Sequence, residues 1–294
     1  PSDRLSEEML FNDREGFVKA LNGVYIELNT NELYGRNLTA GALDVMGQYY
    51  SVASSSHAFY NYGGLVYTGN DEKALFDNMW QKCYAVIACC NTIIEKCDEN
   101  KAGLSPVWKG SIKGEALALR AMLHFDMLRL FGPLTSELDK ESIPYQTNSD
   151  QTVTPLLSGS EVIGLILDDL KNAVGLLKDT DPYFVEEEFS DTDLNYRRFR
   201  MNYFAAKGLM ARVQLWGGDK EKAAITAKEV IAEGQAEGAE FFPFVTNSEA
   251  TSSNPDRVFY SEVLFGTYHS SREKLHEDLF APTLESTSIL TLAR

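Results

Sequence analysis

Apolar residues recur at a helical spacing through most of this chain, and the pattern stops at glycine, proline or clusters of polar residues. This periodicity predicts four long helices, over residues 6–28, 72–97, 107–131 and 156–177. Ser160 is the expected capping residue of the fourth helix. The third helix is apolar almost all round between Glu115 and Phe131, so we expect other helices to enclose it.

A pair of helices joined by a very short turn is predicted between residues 201 and 234. Small side chains let a neighbouring helix approach closely, and the first helix of the pair carries Ala205, Ala206, Gly208 and Ala211. In the turn Gly217-Gly218-Asp219, glycine tolerates a left-handed backbone, and Asp219 can accept hydrogen bonds from the amides that open the second helix. Helices joined this tightly run antiparallel, and the unit resembles one tetratricopeptide hairpin.

Two long segments between the helices have no regular period. Residues 29–70 are rich in glycine, serine, asparagine and tyrosine and predict a long irregular loop, and residues 178–200 predict a second, polar loop. One strand is predicted over residues 258–268. The expected fold is mostly α, made of tetratricopeptide-like helical hairpins with long irregular loops and minor β, in a single domain over residues 1–294.

The balance of charge narrows the classes of partner. The chain has 27 lysine and arginine residues against 43 aspartate and glutamate residues, a formal net charge of −16. Because nucleic acids bind mainly through basic side chains that displace counterions, no nucleic-acid partner is expected. An acidic protein can still bind neutral glycans or basic protein surfaces. No apolar run reaches the roughly 18 to 20 residues that a membrane-spanning helix requires.

All four cysteines lie in the helix predicted over residues 72–97, and Cys83, Cys90 and Cys97 recur on one face of it. Residues seven apart are separated by roughly 10.5 Å along a helix, which is too far for a disulfide bond. The spacing does not bring four metal ligands together either. We therefore expect buried, reduced thiols that pack as small apolar groups, with no metal site and no cofactor.

The loop over residues 29–70 holds the strongest candidate for a binding site, because its tyrosines alternate with asparagine, serine and glycine. A sugar ring has an apolar face and a rim of hydroxyl groups. A planar aromatic ring can cover the face while amides and hydroxyls pair with the rim. The predicted stacking and hydrogen-bonding platform consists of Tyr49, Tyr50, Tyr60, Asn61 and Tyr62. The alternative is that these rings only pin the loop to the helices.

Paired carboxylates at Asp168 and Asp169, or at residues 186–188, are the candidates for acid and base catalysis. Adjacent helix residues point in different directions, and a glutamate run in a polar loop is expected to have ordinary acidity. His124 is expected to be a core histidine that shares a helix face with Arg120. The sequence contains no phosphate-binding loop, nucleophile elbow, zinc helix or dinucleotide fingerprint. No catalytic residue is predicted.

Three stretches of the chain resemble, in the same order, those of one protein family. They are GEALALRAMLHFDMLRLFGP at 114–133, AAKGLMARVQLWGGDKEKAAITAKEVI at 205–231 and SEVLFGTYH at 261–269. An earlier helix keeps the spacing of the family's first long helix at Trp80, Tyr84, Ile87, Asn91 and Ile94. Over about residues 71–268 the chain resembles the SusD/RagB family of outer-membrane nutrient-binding lipoproteins. The likeness is specific for the fold and the partner system and less so for the ligand.

The resemblance implies a surface protein that holds its ligand in loops between helical pairs and passes it to a TonB-dependent, SusC-like outer-membrane transporter. Family members are made with an export signal that ends at a lipidated cysteine. This sequence opens on polar residues and contains neither, so the lipid anchor follows from the resemblance alone. Related proteins usually continue well past residue 294, and we expect a C-terminal portion beyond it.

These observations predict non-enzymatic binding of an oligosaccharide at the bacterial outer-membrane surface, for delivery to that transporter. Two alternatives stay open. A tetratricopeptide-type protein-interaction scaffold would bind a peptide on a concave helical face and would be indifferent to glycans. A glycosidase would release reducing sugar from a polymer that a binding protein leaves intact.

Overall fold

The computed structural model of the chain describes residues 7–150, 152–236 and 239–293. Ser6, where the first predicted helix begins, lies outside the described residues. Within them the α-helices are α1 Glu7–Leu10, α2 Arg14–Leu28, α3 Ala42–Met46, α4 Tyr60–Gly63, α5 Asn70–Glu99, α6 Pro106–Phe131, α7 Gly159–Thr180, α8 Asp191–Asn195, α9 Tyr203–Trp216, α10 Lys220–Gly234, α11 Asn247–Ala250 and α12 Arg272–Leu279.

The strands of the described chain are short and form antiparallel pairs. They are β1 Tyr50–Ser51, β2 Glu141–Pro144, β3 Leu156–Ser158, β4 Gln235–Ala236, β5 Ala239–Glu240 and β6 Thr291–Leu292. Strand β1 pairs with β6, β2 with β3, and β4 with β5. The expectation of a mostly helical fold with minor β structure is confirmed.

The predicted helices are present with bounds shifted by a few residues, and two of them differ in how they begin. The first divides into α1 and α2, because the Asp13 carboxylate accepts a hydrogen bond from the Gly16 amide (2.8 Å) and opens a new helix there. The fourth begins three residues late, and its cap is Ser158 rather than the predicted Ser160. The Ser158 hydroxyl accepts from the Glu161 amide (3.3 Å), and the Glu161 carboxylate accepts from the Ser158 amide (2.9 Å).

The chain divides into two compact units. Unit 1 comprises Pro1–Leu21 and Ile87–Gly266, and unit 2 comprises Asn22–Val86 and Thr267–Arg294. Each unit is therefore built from two stretches that are far apart in the sequence. The expectation of a single domain over residues 1–294 that lacks a C-terminal portion stays a prediction.

Helix α6 lies at the centre of unit 1 and is buried along most of its length, as expected for a helix that is apolar almost all round. It packs mainly on α7, which also contacts α9. Gly110 and Gly114 allow the close approach, since a Cβ atom there would lie 2.5 Å from the Thr180 side chain or 2.7 Å from that of Leu177. The α6–α7 interface therefore depends on glycines that the sequence pattern did not single out.

Helices α9 and α10 form the predicted hairpin. Gly218 has φ +90°, the left-handed conformation expected at this turn. The Asp219 carboxylate accepts a hydrogen bond from the Lys222 amide (3.1 Å) and so caps α10. Ala206 is fully buried. The turn chemistry predicted from the sequence is confirmed.

The single strand predicted from the sequence is wrong. Phe259 lies in the left-handed region with φ +51°, and a short 3₁₀ turn follows it. The Asp256 carboxylate accepts a hydrogen bond from the Tyr260 amide (2.7 Å), and the Asn202 side chain donates to the Leu264 carbonyl (2.8 Å). A strand needs a neighbouring backbone to pair with, whereas here side chains satisfy the backbone groups instead.

A buried ion network in unit 1 fixes the turn before α9. The Arg197 guanidinium donates to the Asp181 carboxylate (3.0 and 2.6 Å) and pairs with Glu115, and the Asp181 carboxylate also accepts from the Tyr203 amide (2.8 Å). Burial lowers the pKa of Arg197, but the two carboxylates outweigh it and hold this pKa above its usual value. The network therefore also fixes the position of the next residue, Arg198.

Candidate functional site

The predicted loop of residues 29–70 is folded onto a hydrophobic core of its own in unit 2. The buried members of this core are Ala42, Val45, Phe59, Tyr62, Leu279 and Leu290. Four of them belong to the loop, and Leu279 and Leu290 come from the distant C-terminal stretch, whose packing on the loop is not apparent in the sequence. The loop is therefore a defined surface rather than a flexible connection.

Interlocking rings hold this core together. The Tyr62 ring lies 5.8 Å from Phe59 and 5.9 Å from Phe76, and Tyr67 lies 5.5 Å from Phe76. Tyr62 is 2% exposed, and burial, with a smaller effect of Glu72, raises the pKa of its phenol to about 12. A ring enclosed in this way cannot stack on a solute. Tyr62 therefore belongs to the buried core of unit 2 and not to an exposed stacking surface.

Two residues of the predicted platform present their rings to solvent. Tyr49 is 68% exposed and Tyr60 is 43% exposed. The Gln48 side chain ties together the segments that carry them, because it donates to the Gly63 carbonyl (3.0 Å) at the end of α4. Gly47 lies against the Tyr49 ring, since a Cβ atom there would be 3.2 Å from two ring atoms. These contacts link the backbone segments that carry Tyr49 and Tyr60.

The other two predicted residues, Tyr50 and Asn61, have partners within unit 2. The half-buried Tyr50 ring packs 5.2 Å from Phe280. The exposed Asn61 side chain donates to the Glu72 carboxylate (2.8 Å) and keeps its carbonyl oxygen for other partners. Contact of Tyr49, Tyr50, Tyr60 and Asn61 with a ligand stays a prediction.

A cavity in unit 1 was not predicted from the sequence. It has a volume of about 570 Å³, and its lining includes Arg198, Ser248, Glu249, Ser252, Asp256 and Tyr260. Its signal in the sequence is the polar run SEATSSNPD at 248–256, which has neither a period nor a known motif. Only the folded chain brings this run against Arg198.

The family of the chain follows from a comparison of its sequence with known families. The sequence model named SusD-like_3, described as "Starch-binding associating with outer membrane", matches residues 6–215. The chain belongs to this SusD-like family. The resemblance to SusD/RagB proteins stated above is thereby confirmed.

Curated relatives of this SusD-like chain agree with the assignment. It is 25% identical over 238 residues to SusD-like protein P2 of Formosa agariphila, a match covering 79% of this chain and 42% of that protein. It is 30% identical over 146 residues to a SusD-like protein of Bacteroides ovatus, covering 48% of this chain and 23% of that one. The chain therefore spans less than half the length of these relatives.

Solved structures share the fold. A SusD superfamily protein of Bacteroides thetaiotaomicron has a TM-score of 0.65 at 20% identity, covering 95% of this chain and 60% of that one. A SusD-like carbohydrate binding protein of Bacteroides vulgatus has a TM-score of 0.64 at 24% identity, covering 81% and 47%. A "Laminarin binding SusD-like protein" has a TM-score of 0.60 at 17% identity, covering 81% and 48%.

The carboxylates considered for catalysis are not arranged as a pair in this SusD-like chain. Asp169 is buried, and its carboxylate accepts from the Arg120 guanidinium (2.7 and 2.6 Å) and the Tyr145 hydroxyl (2.5 Å). Asp168 faces solvent, as do the glutamates of residues 186–188. The expected divergence of the two adjacent aspartates is confirmed, and Asp169 serves a buried ion pair.

His124 is the core histidine that the sequence predicts. It is fully buried, its Nδ1 bonds the Arg120 carbonyl (2.9 Å), and its Nε2 accepts from the Gln146 amide (3.0 Å). An accepting Nε2 places the proton of the neutral ring on Nδ1. Burial lowers the pKa of His124 to about 3, so the ring is neutral at physiological pH.

The cysteines behave largely as expected. Cys83, Cys90 and Cys97 are buried free thiols, whereas Cys89 is exposed. Burial raises the pKa of Cys97 to about 12 and that of Cys90 still further, so both stay protonated and unreactive. Within the described residues no cluster of histidine, cysteine and acidic side chains could hold a metal ion. No described helix combines the length and apolarity needed to pass through a bilayer.

Proposed function

We propose that this SusD-like chain binds oligosaccharides at the bacterial outer-membrane surface without altering them. The observation that carries the proposal is that Tyr49 and Tyr60 are exposed, in a segment of the chain whose other residues form a buried, partly aromatic core. Such rings can cover the apolar face of a sugar, and the nearby Asn61 amide can pair with its hydroxyl groups. A rigid platform loses little conformational entropy on binding.

The comparisons support a carbohydrate as the ligand class. The family description names starch binding, and two of the proteins with the same fold are named for carbohydrate and laminarin binding. These names belong to longer proteins, of which this chain matches about half. Neutral glucans are accordingly the first probes to use.

The transporter and the anchor are further parts of the proposal. We expect the bound glycan to be handed to a TonB-dependent, SusC-like transporter, and we expect a lipid anchor to hold the protein at the cell surface. Association with the outer membrane is part of the family description. Co-purification of the full-length protein with a barrel transporter tests the first expectation, and mass spectrometry of its processed N-terminus tests the second.

A purely binding role fits the acidic residues of unit 1. Catalysis of glycoside hydrolysis requires two carboxyl groups on opposite sides of the bond. The Asp169 carboxylate is buried and accepts hydrogen bonds from Arg120, whereas its neighbour Asp168 faces solvent. We therefore expect no reducing sugar to be released from starch or laminarin on incubation with the protein.

Calorimetric titration with maltoheptaose and laminarihexaose tests the platform. We expect the double variant Tyr49→Ala/Tyr60→Ala to bind about tenfold more weakly than the wild type, a loss of about 1.4 kcal/mol. Tyr196→Ala is the matched control, because Tyr196 is a 58% exposed tyrosine of unit 1 outside both candidate sites. If the double variant binds these glycans with the same affinity and the same number of sites per chain as the wild type, the platform is contradicted. Indifference to every glycan, with binding of peptides instead, would favour the scaffold alternative.

A further inference from the structure

We propose that the cavity beside Arg198 and Tyr260 in unit 1 is a second carbohydrate site, which takes neutral sugar units. The inference rests on the proposed function only for the class of ligand, since its residues are different from those of the tyrosine platform. A volume of about 570 Å³ lies within the range of roughly 300–1,000 Å³ typical of small-molecule sites.

One wall of the cavity is rigid and partly aromatic. The Arg198 guanidinium donates to the carbonyls of Tyr260 (2.7 Å) and Phe241 (2.6 Å). It also lies 5.1 Å from the centre of the Tyr260 ring and 5.0 Å from that of Phe242. Because the buried Arg197 network fixes the neighbouring backbone, this wall is formed before any ligand arrives.

Tyr260 is held at the cavity by an unusual backbone. The Asp256 carboxylate accepts from the amides of Val258 (3.0 Å) and Tyr260 (2.7 Å), and Phe259 between them adopts the left-handed φ of +51°. Bulky residues seldom adopt this conformation, and the surrounding structure must compensate its cost. The result is a tyrosine that is 42% exposed at the cavity.

The remaining lining offers free hydrogen-bonding groups. Within the described chain, the side chains of Ser248, Ser252, Asn254 and Ser261 make no hydrogen bond, although all four line the cavity. Each can both donate and accept, as the hydroxyl groups of a sugar require. An aromatic ring surrounded by hydroxyls and an amide is the combination that suits a sugar ring.

The charges at the cavity favour a neutral ligand. Two carboxylates, Glu249 and Asp256, line the cavity together with one guanidinium, Arg198, whose two terminal nitrogens already donate to backbone carbonyls. Hydrogen bonds from Thr246 and from the amides after Asp256 lower the pKa of both carboxyls, so both are charged at neutral pH. Uronic acids and sulfated sugars would meet a net negative lining and be repelled.

Fluorine NMR of the protein labelled with 3-fluorotyrosine tests the site. Resonances are assigned from their loss in Tyr260→Phe, Tyr49→Phe and Tyr60→Phe. We expect the Tyr260 resonance to shift saturably with maltoheptaose or laminarihexaose and not with oligogalacturonate. Ser252→Arg should weaken binding measured at Tyr260 about tenfold or more by filling the cavity. The matched control is Ser253→Arg, because Ser253 is an exposed neighbour that does not line the cavity. This variant should leave the binding measured at Tyr260 unchanged.

Each outcome separates this site from the platform of unit 2. If Tyr49 and Tyr60 respond while Tyr260 does not, the cavity is no sugar site and the proposed function stands. If only Tyr260 responds, the cavity site stands and the platform fails. If no tyrosine responds to either glucan, both are overturned. A larger response to oligogalacturonate, or equal effects of Ser252→Arg and Ser253→Arg, would overturn the neutral cavity site.

Discussion

Different interactions stabilise the interior of each of the two units of this chain. In unit 1, long helices pack along their lengths, and buried ion networks around Arg197 and Arg120 join elements that are distant in sequence. In unit 2, the stretch of residues 29–70 has only short helices, and interlocking rings around Tyr62 form its core. Each unit also has exposed tyrosines, Tyr49 and Tyr60 in unit 2 and Tyr260 in unit 1, which we propose as binding residues. The comparison teaches that a folded unit can be stabilised either by buried charge pairs or by packed rings.

Removing the charge at the centre of unit 1 should have the largest effect. Arg197→Met removes the guanidinium that pairs with the buried carboxylates of Asp181 and Glu115, of which Glu115 keeps its ion pair with Arg200. We expect a loss of about 3–5 kcal/mol in the free energy of unfolding. Urea unfolding followed by circular dichroism measures it. Arg129→Met, which removes a partly exposed pair with Asp126, should cost less than about 1 kcal/mol. Equal losses would show that burial of the network does not matter.

Removing the central ring of unit 2 should cost somewhat less. Tyr62→Ala leaves a cavity among Phe59, Phe76 and Tyr67, and we expect a loss of about 3 kcal/mol. Hydrogen exchange should quicken first at amides of residues 57–66. Tyr62→Phe keeps the ring and should stay near the wild type, while Tyr49→Ala, at an exposed position, should leave the exchange unchanged. Faster exchange in Tyr49→Ala would mean that the surface ring, too, holds the fold.

The smallest of these effects concerns the pH dependence of the free energy of unfolding. It tests unit 1, which contains the buried neutral His124. Its pKa is about 3 in the folded chain against 6.5 for an unperturbed histidine. The unfolded chain therefore takes up a proton that the folded chain cannot. The free energy of unfolding therefore keeps its full value from this residue above pH 6.5, and it decreases as the pH falls towards 3. Between pH 7 and 4.5 the loss should be about 2–3 kcal/mol.

The matched variant for this titration is His124→Gln, which removes the titrating ring and retains hydrogen-bonding groups. Its unfolding free energy should fall less steeply with acidity than that of the wild type over the same pH range. Parallel curves for the two proteins would show that His124 does not govern this part of the acid response.

Much of unit 1 was predictable because its signals are local. The small residues of α9, the turn at Gly218 and the cap at Asp219 each act within a few residues of their position. The predicted strand failed for the opposite reason. Its apolar pattern does not specify a partner strand. The Asp256 carboxylate accepts a hydrogen bond from the Tyr260 amide, and the backbone forms a turn there instead of pairing as a strand.

The candidate sites show the same limit. Sequence composition singled out the aromatic stretch of unit 2, but it could not tell the exposed Tyr49 and Tyr60 from the buried Tyr62. The cavity of unit 1 has no sequence signature, because its polar run and Arg198 meet only in the folded chain.

The sequence by itself determined the helices, their hairpin turn, the family and the general chemistry of a tyrosine-rich surface. Periodicity, capping and turn chemistry are local, so they are legible in the order of the residues. Only the tertiary structure decided which rings face solvent, which carboxylates form ion pairs with buried arginines, and where a polar cavity lies. Those outcomes depend on contacts between residues far apart in the chain, such as Tyr50 with Phe280 or Arg197 with Glu115.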